Sequence, residues 1–173
     1  VRMKAAGVCH SDLSVVNGTV PMPLPMVLGH EGAGIVETVG PGVTRVAAGD
    51  HVVLSFVPNC GECWFCVRQE PHLCVRCDAG GRMWDGTSRL KLRGQELGAM
   101  SQLGCLAQYA VVPAASVMPI DRTVPFDCAA LVGCAVMTGV GAVTNTAQVE
   151  AGSTVAVFGC GGVGLAAIQG ARL

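Results

Sequence analysis

The sequence predicts a β-rich domain over residues 1–135, followed by the opening of an α/β domain with a parallel sheet over residues 136–173. Three observations carry this. Short β-branched runs punctuated by Gly and Pro fill Met26 to Ser55, and a cysteine-dense loop runs from Cys60 to Cys77. An apolar run, Thr154 to Phe158, then leads into Gly159-Cys160-Gly161-Gly162-Val163-Gly164, the strand, glycine turn and helix start of a nucleotide-binding unit.

In chain order, Ile35–Val39 and His51–Leu54 read as strands joined by Gly-Pro-Gly and Gly-Asp turns. After the cysteine loop, Asp85-Gly86 forms a turn, and Arg89–Arg93 alternates as a half-exposed strand does. Gln108–Val112 and Ser116–Ile120 add two short strands. Asp127 is placed to cap a helix that ends at the Gly133-Cys134 break, and a second helix covers Thr138–Ala147. Thr154–Phe158 is apolar throughout, as a parallel strand covered on both faces would be.

Composition narrows the function classes. The 173 residues are 51% hydrophobic and 13% charged, with 24 Gly and 10 Cys, which excludes a disordered or collagenous chain. A formal charge of −1 leaves no basic footprint for nucleic acid or for an anionic membrane surface, so small-molecule chemistry is expected. Cys128–Ala147 and Ser153–Ala171 lack charge over about the length of a bilayer span. Both are rich in Gly, Ala and Thr, which suits buried elements better than spans. No secretory signal opens the chain, so a cytoplasmic setting is expected. The chain starts and stops inside patterned elements and reads as part of a longer protein, inactive by itself.

Cys60-x2-Cys63-x2-Cys66-x7-Cys74 places four thiols in one loop, close enough to wrap a single tetrahedral zinc. Cys77 lies just outside and leaves the fourth position open. Two disulfides are the alternative, which needs an oxidising compartment. Four thiolates close the coordination sphere, so this site implies stability and not chemistry.

A second metal site is suggested by residues far apart in sequence. His30, between Gly29 and Glu31 in a glycine-rich run, and Cys9, in Gly7-Val8-Cys9-His10-Ser11-Asp12, each stand in tight contexts. With one more cysteine they form a Cys₂His set whose fourth position is free, the catalytic type of zinc site. Spacing alone does not choose Cys134 over Cys105, Cys128 or Cys160.

Gly159, Gly161 and Gly164 have the G-x-G-x-x-G spacing that permits a tight turn, close backbone approach to a pyrophosphate and helix-on-strand packing. The acidic residue that separates NAD from NADP belongs about twenty residues further on, beyond Leu173, so either cofactor remains open.

Together these residues resemble the zinc-dependent medium-chain alcohol dehydrogenases of the long-loop type. Gly29-His30-Glu31-x2-Gly34-x5-Gly40-x2-Val43, the four-cysteine lobe and the glycine motif follow one another in that family's order. The resemblance implies a GroES-like catalytic domain followed by the start of a Rossmann-type nucleotide-binding domain. It also implies two zincs per chain, a catalytic one held by Cys9, His30 and Cys134 and a structural one held by Cys60, Cys63, Cys66 and Cys74. Glu31 then lies behind the catalytic ion, and Asp12 orients His30.

The implied reaction is hydride transfer between an alcohol or aldehyde and NAD or NADP, with zinc lowering the pKa of the alcohol. Ser11, otherwise a helix N-cap, resembles the hydroxyl that relays the alcohol proton. His10, Thr138, Gly159, Gly161, Gly162, Val163 and Gly164 match cofactor-binding positions, and Phe56 and Thr138 match positions that line the pocket. Three residues beyond Ser11, some members carry a relay histidine where this chain has Ser14. A homo-oligomeric parent is implied. Asp85-Gly86-Thr87-Ser88-Arg89 looks like the thiol-dependent formaldehyde-oxidising relatives, which keeps thiol adducts of formaldehyde as an alternative substrate class. Outside the enzymes, the alternatives are a zinc-stabilised binding module and a thiol redox protein built on Cys-x-x-Cys.

Overall fold

The computed structural model describes residues 1–77 and 80–173. Among the described residues, seven short strands form two sheets. The larger, antiparallel throughout, has the order β1-β3-β4-β7 and consists of Arg2–Gly7 (β1), Glu31–Ile35 (β3), His51–Leu54 (β4) and Val117–Pro119 (β7). The smaller has the order β2-β6-β5, from Met26–Val27 (β2), Leu90–Leu92 (β5) and Gln95–Ala99 (β6). Two short helices, His10–Val16 (α1) and Trp64–Val67 (α2), lie between strands.

His51–Leu54, Arg89–Arg93 and Ser116–Ile120 contain strands as the sequence predicts. The strand expected at Ile35–Val39 lies earlier, at Glu31–Ile35, because Gly32 and Gly34 permit close packing that larger residues would block. A Cβ on Gly34 would strike the Arg2 carbonyl, and one on Gly32 would strike Cys105 Sγ. Gln108–Val112 is not a ladder. It touches β1 through one bridge, Arg2 to Tyr109, and through the bonds from Met3 N–H to Gln108 O and from Ala110 N–H to Val1 O. The β5–β6 hairpin turns on Arg93 and Gly94, both at positive φ (50° and 85°), the signature of a type I′ turn that the sequence reading placed nowhere.

The expected break at Gly133-Cys134 is absent. One helix of 21 residues runs from Phe126 to Thr146, alternating α-helical turns with π-helical turns at Val132–Val136 and Ala142–Thr146. Pro125, not Asp127, occupies the N-cap. Gly133 does not end the helix because it serves packing: a Cβ there would enter the Leu54 carbonyl, so glycine lets the helix lie directly on β4. Ala129 and Ala130 sit against Ala33 with Ala5, Ile120 and Phe126 around them, a small-residue contact that brings the helix close to the sheet. By length and composition this helix could also cross a membrane, with a mean hydropathy of 1.8 over an 18-residue window. Here its first half packs on β1, β3 and β4, and its second half packs on the last helix, Gly162–Gly170.

The main core lies under β4, with Val36, Val46, Val52, Leu54, Leu103, Cys105 and Val117 buried together. Thr154–Phe158 carries no strand pairing, and Phe158 is 98% exposed. Its apolar character fits a covered strand, yet a strand needs a neighbour's N–H and C=O groups, and no described residue supplies them.

Candidate functional site

Three elements bring the predicted residues together. Cys9 is the N-cap of α1, His30 immediately precedes β3, which Glu31 opens, and Cys134 sits in the first π-helical turn of the long helix. One donor atom from each of Cys9, His30, Glu31 and Cys134 lies within 4.8 Å of every other. His30 is 3% exposed, Glu31 2% and Cys134 9%. A π turn adds a residue to the helical repeat and redirects the side chains it carries, and such turns recur at functional sites.

Asp12 joins two of these segments. One carboxylate oxygen accepts the Cys9 N–H at 2.9 Å, and the other accepts the Gly29 N–H at 2.9 Å. The second oxygen also stands 3.5 Å from His30 Nδ1, close to it but without hydrogen-bond geometry. Gly29 makes this possible. Its φ is +98°, and a Cβ would meet the Leu106 backbone nitrogen at 2.5 Å.

The donor set fits a divalent metal. Both His30 ring nitrogens are buried without a hydrogen-bond partner among the described residues, a costly state that a metal ligand relieves. Burial pushes the Cys134 thiol up to about 12, and the nearby Cys9 and Glu31 act in the same direction. A buried thiol whose ionisation is disfavoured in this way is one that a bound dication stabilises as the thiolate. Cys105, buried behind the site, is raised to about 12 by burial first and then by Asp12 and Glu31.

Other predicted residues surround this cluster. The Phe56 ring meets the His30 ring edge-on, 5.9 Å between centroids. Ser11 does not cap α1, because Cys9 does. It lies in the first turn with its Oγ 3.7 Å from Cys9 Sγ, on the exposed side. His10 is exposed and meets Ser14. Thr138 follows Cys134 on the same helix and is exposed.

The four-cysteine loop is compact. Sulfur–sulfur separations are 3.5 Å for Cys63–Cys66 and 3.9 Å for both Cys60–Cys66 and Cys63–Cys74. A tetrahedron with Zn–S bonds of about 2.3 Å has edges of about 3.8 Å. All ten cysteines are free thiols, against the disulfide alternative. Cys74, not Cys77, completes the cluster, while the Cys77 thiol lies 3.9 Å from the Phe56 carbonyl. Backbone N–H groups of Cys66 and Val75 lower the Cys63 thiol to about 6, whereas burial and the Cys63 sulfur raise Cys66 to about 12.

Gly159 to Gly164 forms a turn into the last helix, whose N-cap is Gly161. Gly159 has φ +99°, and both it and Gly161 have open space where a Cβ would stand. A Cβ on Gly164 would collide with the Gly159 carbonyl, so this glycine closes helix on turn. An exposed helix start with no side-chain cap bond, behind bare glycines, is a cradle that suits a pyrophosphate. Gly162 lies 3.3 Å, measured from where its Cβ would be, from Ala135, next to Cys134. A cavity of about 480 Å³, lined by Val36, Val43, Val46, Met83, Arg89 and Val112 among others, contains none of these residues.

Sequence spacing missed the double role of Asp12 and the choice of Cys134. An Asp three residues after an N-cap cysteine was a usable signal for the first. The second required knowing which helix crosses β4.

Residues 1–122 match the alcohol dehydrogenase GroES-like domain family. Alcohol dehydrogenase class-3 of Myxine glutinosa is 49% identical over 179 residues, covering 100% of this chain and 48% of that protein. Putative alcohol dehydrogenase D of Mycobacterium tuberculosis is 46% identical over 176 residues, covering 99% of this chain and 47% of that protein. Among solved structures, an alcohol dehydrogenase zinc-binding domain protein from Burkholderia ambifaria superposes with a TM-score of 0.91 at 40% identity, covering 99% of this chain and 48% of that one. The chain spans about half the length of the curated relatives it matches.

Proposed function

The chain belongs to the alcohol dehydrogenase GroES-like domain family, and on that premise we propose that it is the zinc-bearing portion of an oxidoreductase moving hydride between an alcohol or aldehyde and NAD or NADP. The observation that carries this reading is the convergence of Cys9, His30, Glu31 and Cys134 within 4.8 Å around an otherwise unpartnered buried histidine. Cys9, His30 and Cys134 would hold the catalytic zinc with Glu31 beside it, and Cys60, Cys63, Cys66 and Cys74 the structural one. Zinc bound at the first site would supply Lewis acidity toward a substrate oxygen, and a bound nicotinamide would supply the hydride acceptor.

This chain's own residues then do the rest. Asp12 fixes the Cys9 and Gly29 backbones and sets the His30 ring beside its own carboxylate, the support a ligating histidine usually has. The Ser11 hydroxyl, next to Cys9 and facing solvent, takes the alcohol proton and passes it outward. Phe56 covers one edge of His30 and limits water there. Gly159, Gly161, Gly162, Val163 and Gly164 receive the pyrophosphate and nicotinamide side of the dinucleotide, with His10 and Thr138 as further contacts. The division into residues 1–135 and 136–173 belongs to the same reading, with Cys134 the last contribution of the first part.

Zinc per chain, measured by elemental analysis on the reduced protein, is the first test. About two zincs are expected, falling to about one in Cys134→Ala. A count unaffected by that substitution would sink the catalytic-site assignment.

A further inference from the structure

His10 and Ser14 lie one turn apart on α1, with Ser14 Oγ 3.3 Å from His10 Nδ1. The histidine is exposed, whereas Ser14 is only 8% exposed. Which of the two atoms carries the shared proton follows from where else the serine hydroxyl can donate. A helical Ser or Thr often donates to the carbonyl four residues back, as Thr144 does to Val140 at 3.0 Å. Ser14 makes no such bond, and among the described residues His10 Nδ1 is the only partner of its hydroxyl.

A proton on Nδ1 would be donated to Ser14 Oγ, leaving the buried hydroxyl hydrogen without an acceptor, an arrangement that folded proteins avoid. A hydroxyl that donates to Nδ1 satisfies both groups. The single proton of the neutral ring then sits on Nε2, across the ring from Ser14.

We propose that Ser14 is a positioning residue that holds neutral His10 as the Nε2–H tautomer, so that the free edge of the ring is a hydrogen-bond donor fitted to an anionic oxygen. The proposal rests on the reading above, in which His10 meets the cofactor's pyrophosphate, and it gives a role to the residue at which this chain departs from the histidine some relatives carry. A fixed Nε2–H needs no reorganisation when the anion arrives, whereas a ring free to exchange tautomers presents a donor only part of the time.

The test is a ring ¹H–¹⁵N correlation experiment on the zinc-supplemented chain at pH 8, with the signals of His10, His30, His51 and His72 assigned. The wild type is expected to show His10 protonated at Nε2, with an Nδ1 resonance displaced by an accepted hydrogen bond. Ser14→Ala should move that Nδ1 resonance toward the value of a free acceptor while leaving exposed His72 unchanged, and Ser14→Thr, which keeps a hydroxyl, should restore it. A wild-type ring protonated at Nδ1 overturns the proposal without need of any variant, and so does an Nδ1 resonance that is identical in Ser14→Ala. Added NADH separates the two readings: a shift of His10 Nε2 supports the pyrophosphate contact. An Nε2 signal that stays unmoved while the Gly159–Gly164 amide signals shift, with the Ser14→Ala effect intact, overturns that contact and still supports the tautomer assignment.

Discussion

Asp12 ties the segments of the cluster together: among the described residues its two oxygens are the groups that join the Cys9 and Gly29 backbones next to His30. Asp12→Asn keeps the shape and removes the charge. Loss of such a supporting carboxylate typically lowers metal affinity about 10- to 100-fold. The expected outcome is that loss at the Cys9–His30–Cys134 site alone, read by competition with a chelator, with the four-cysteine zinc retained. At the surface, hydrogen bonds from Arg89 and then Thr87 hold the Asp85 carboxyl below the usual carboxylate range. A carboxylate depressed in the folded state stabilises above its unfolded value of about 3.9 and loses that contribution as pH falls through the lower folded value. Arg89→Ala is therefore expected to move the Asp85 titration up in carbon-detected NMR. Its effect on the urea midpoint should be small at pH 7, because both side chains are well exposed.

The elements are held by glycine as much as by hydrophobic side chains. Gly139 of the long helix faces the last helix so closely that a Cβ would come 2.6 Å from the Ala166 Cβ and 2.7 Å from the Ala167 nitrogen. Gly139→Val should force the two helices apart, costing about 1–3 kcal/mol by the usual penalty for overpacking. Hydrogen exchange is expected to rise first in Gly162–Gly170 and to leave β1, β3 and β4 protected. Equal protection of the last helix in the variant would show that the contact is not tight. The same reasoning explains why the predicted helix break failed: Gly133 looks like a terminator in sequence, but in the fold it is the point where the helix rests on the Leu54 carbonyl.

Across the whole molecule, two modes of ordering coexist. The sheet and its helix are ordered by burial around Val52, Leu54, Leu103 and Val117, whereas the Cys60–Cys74 loop has no fully buried large side chain and converges on four sulfurs. Metal coordination is therefore expected to supply that loop's ordering. Chelation, or Cys63→Ala, should make the segment from Cys60 to Cys77 the first site of limited proteolysis while the four-stranded sheet stays intact. Cleavage that begins in the sheet, or no change at all, would show that the lobe does not depend on metal.

The four-cysteine set and the glycine turn before the last helix were legible in the sequence, because each is a local spacing whose chemistry needs no distant partner; the Gly29-His30-Glu31 run was legible as a motif, although its chemistry needs Cys9 and Cys134. His51–Leu54 was equally legible, since a β-branched run between turn residues has few other uses. Spacing left Cys134, Cys105, Cys128 and Cys160 equivalent and only the resemblance pointed to Cys134; the tertiary structure supplies the physical reason that it is Cys134 which meets Cys9 and His30. That choice depends on which helix crosses β4, on the glycine that lets it approach and on the π turn that redirects the cysteine. Thr154–Phe158 marks the limit from the other side: its residues have strand character, but a strand exists only where another backbone completes its hydrogen bonds.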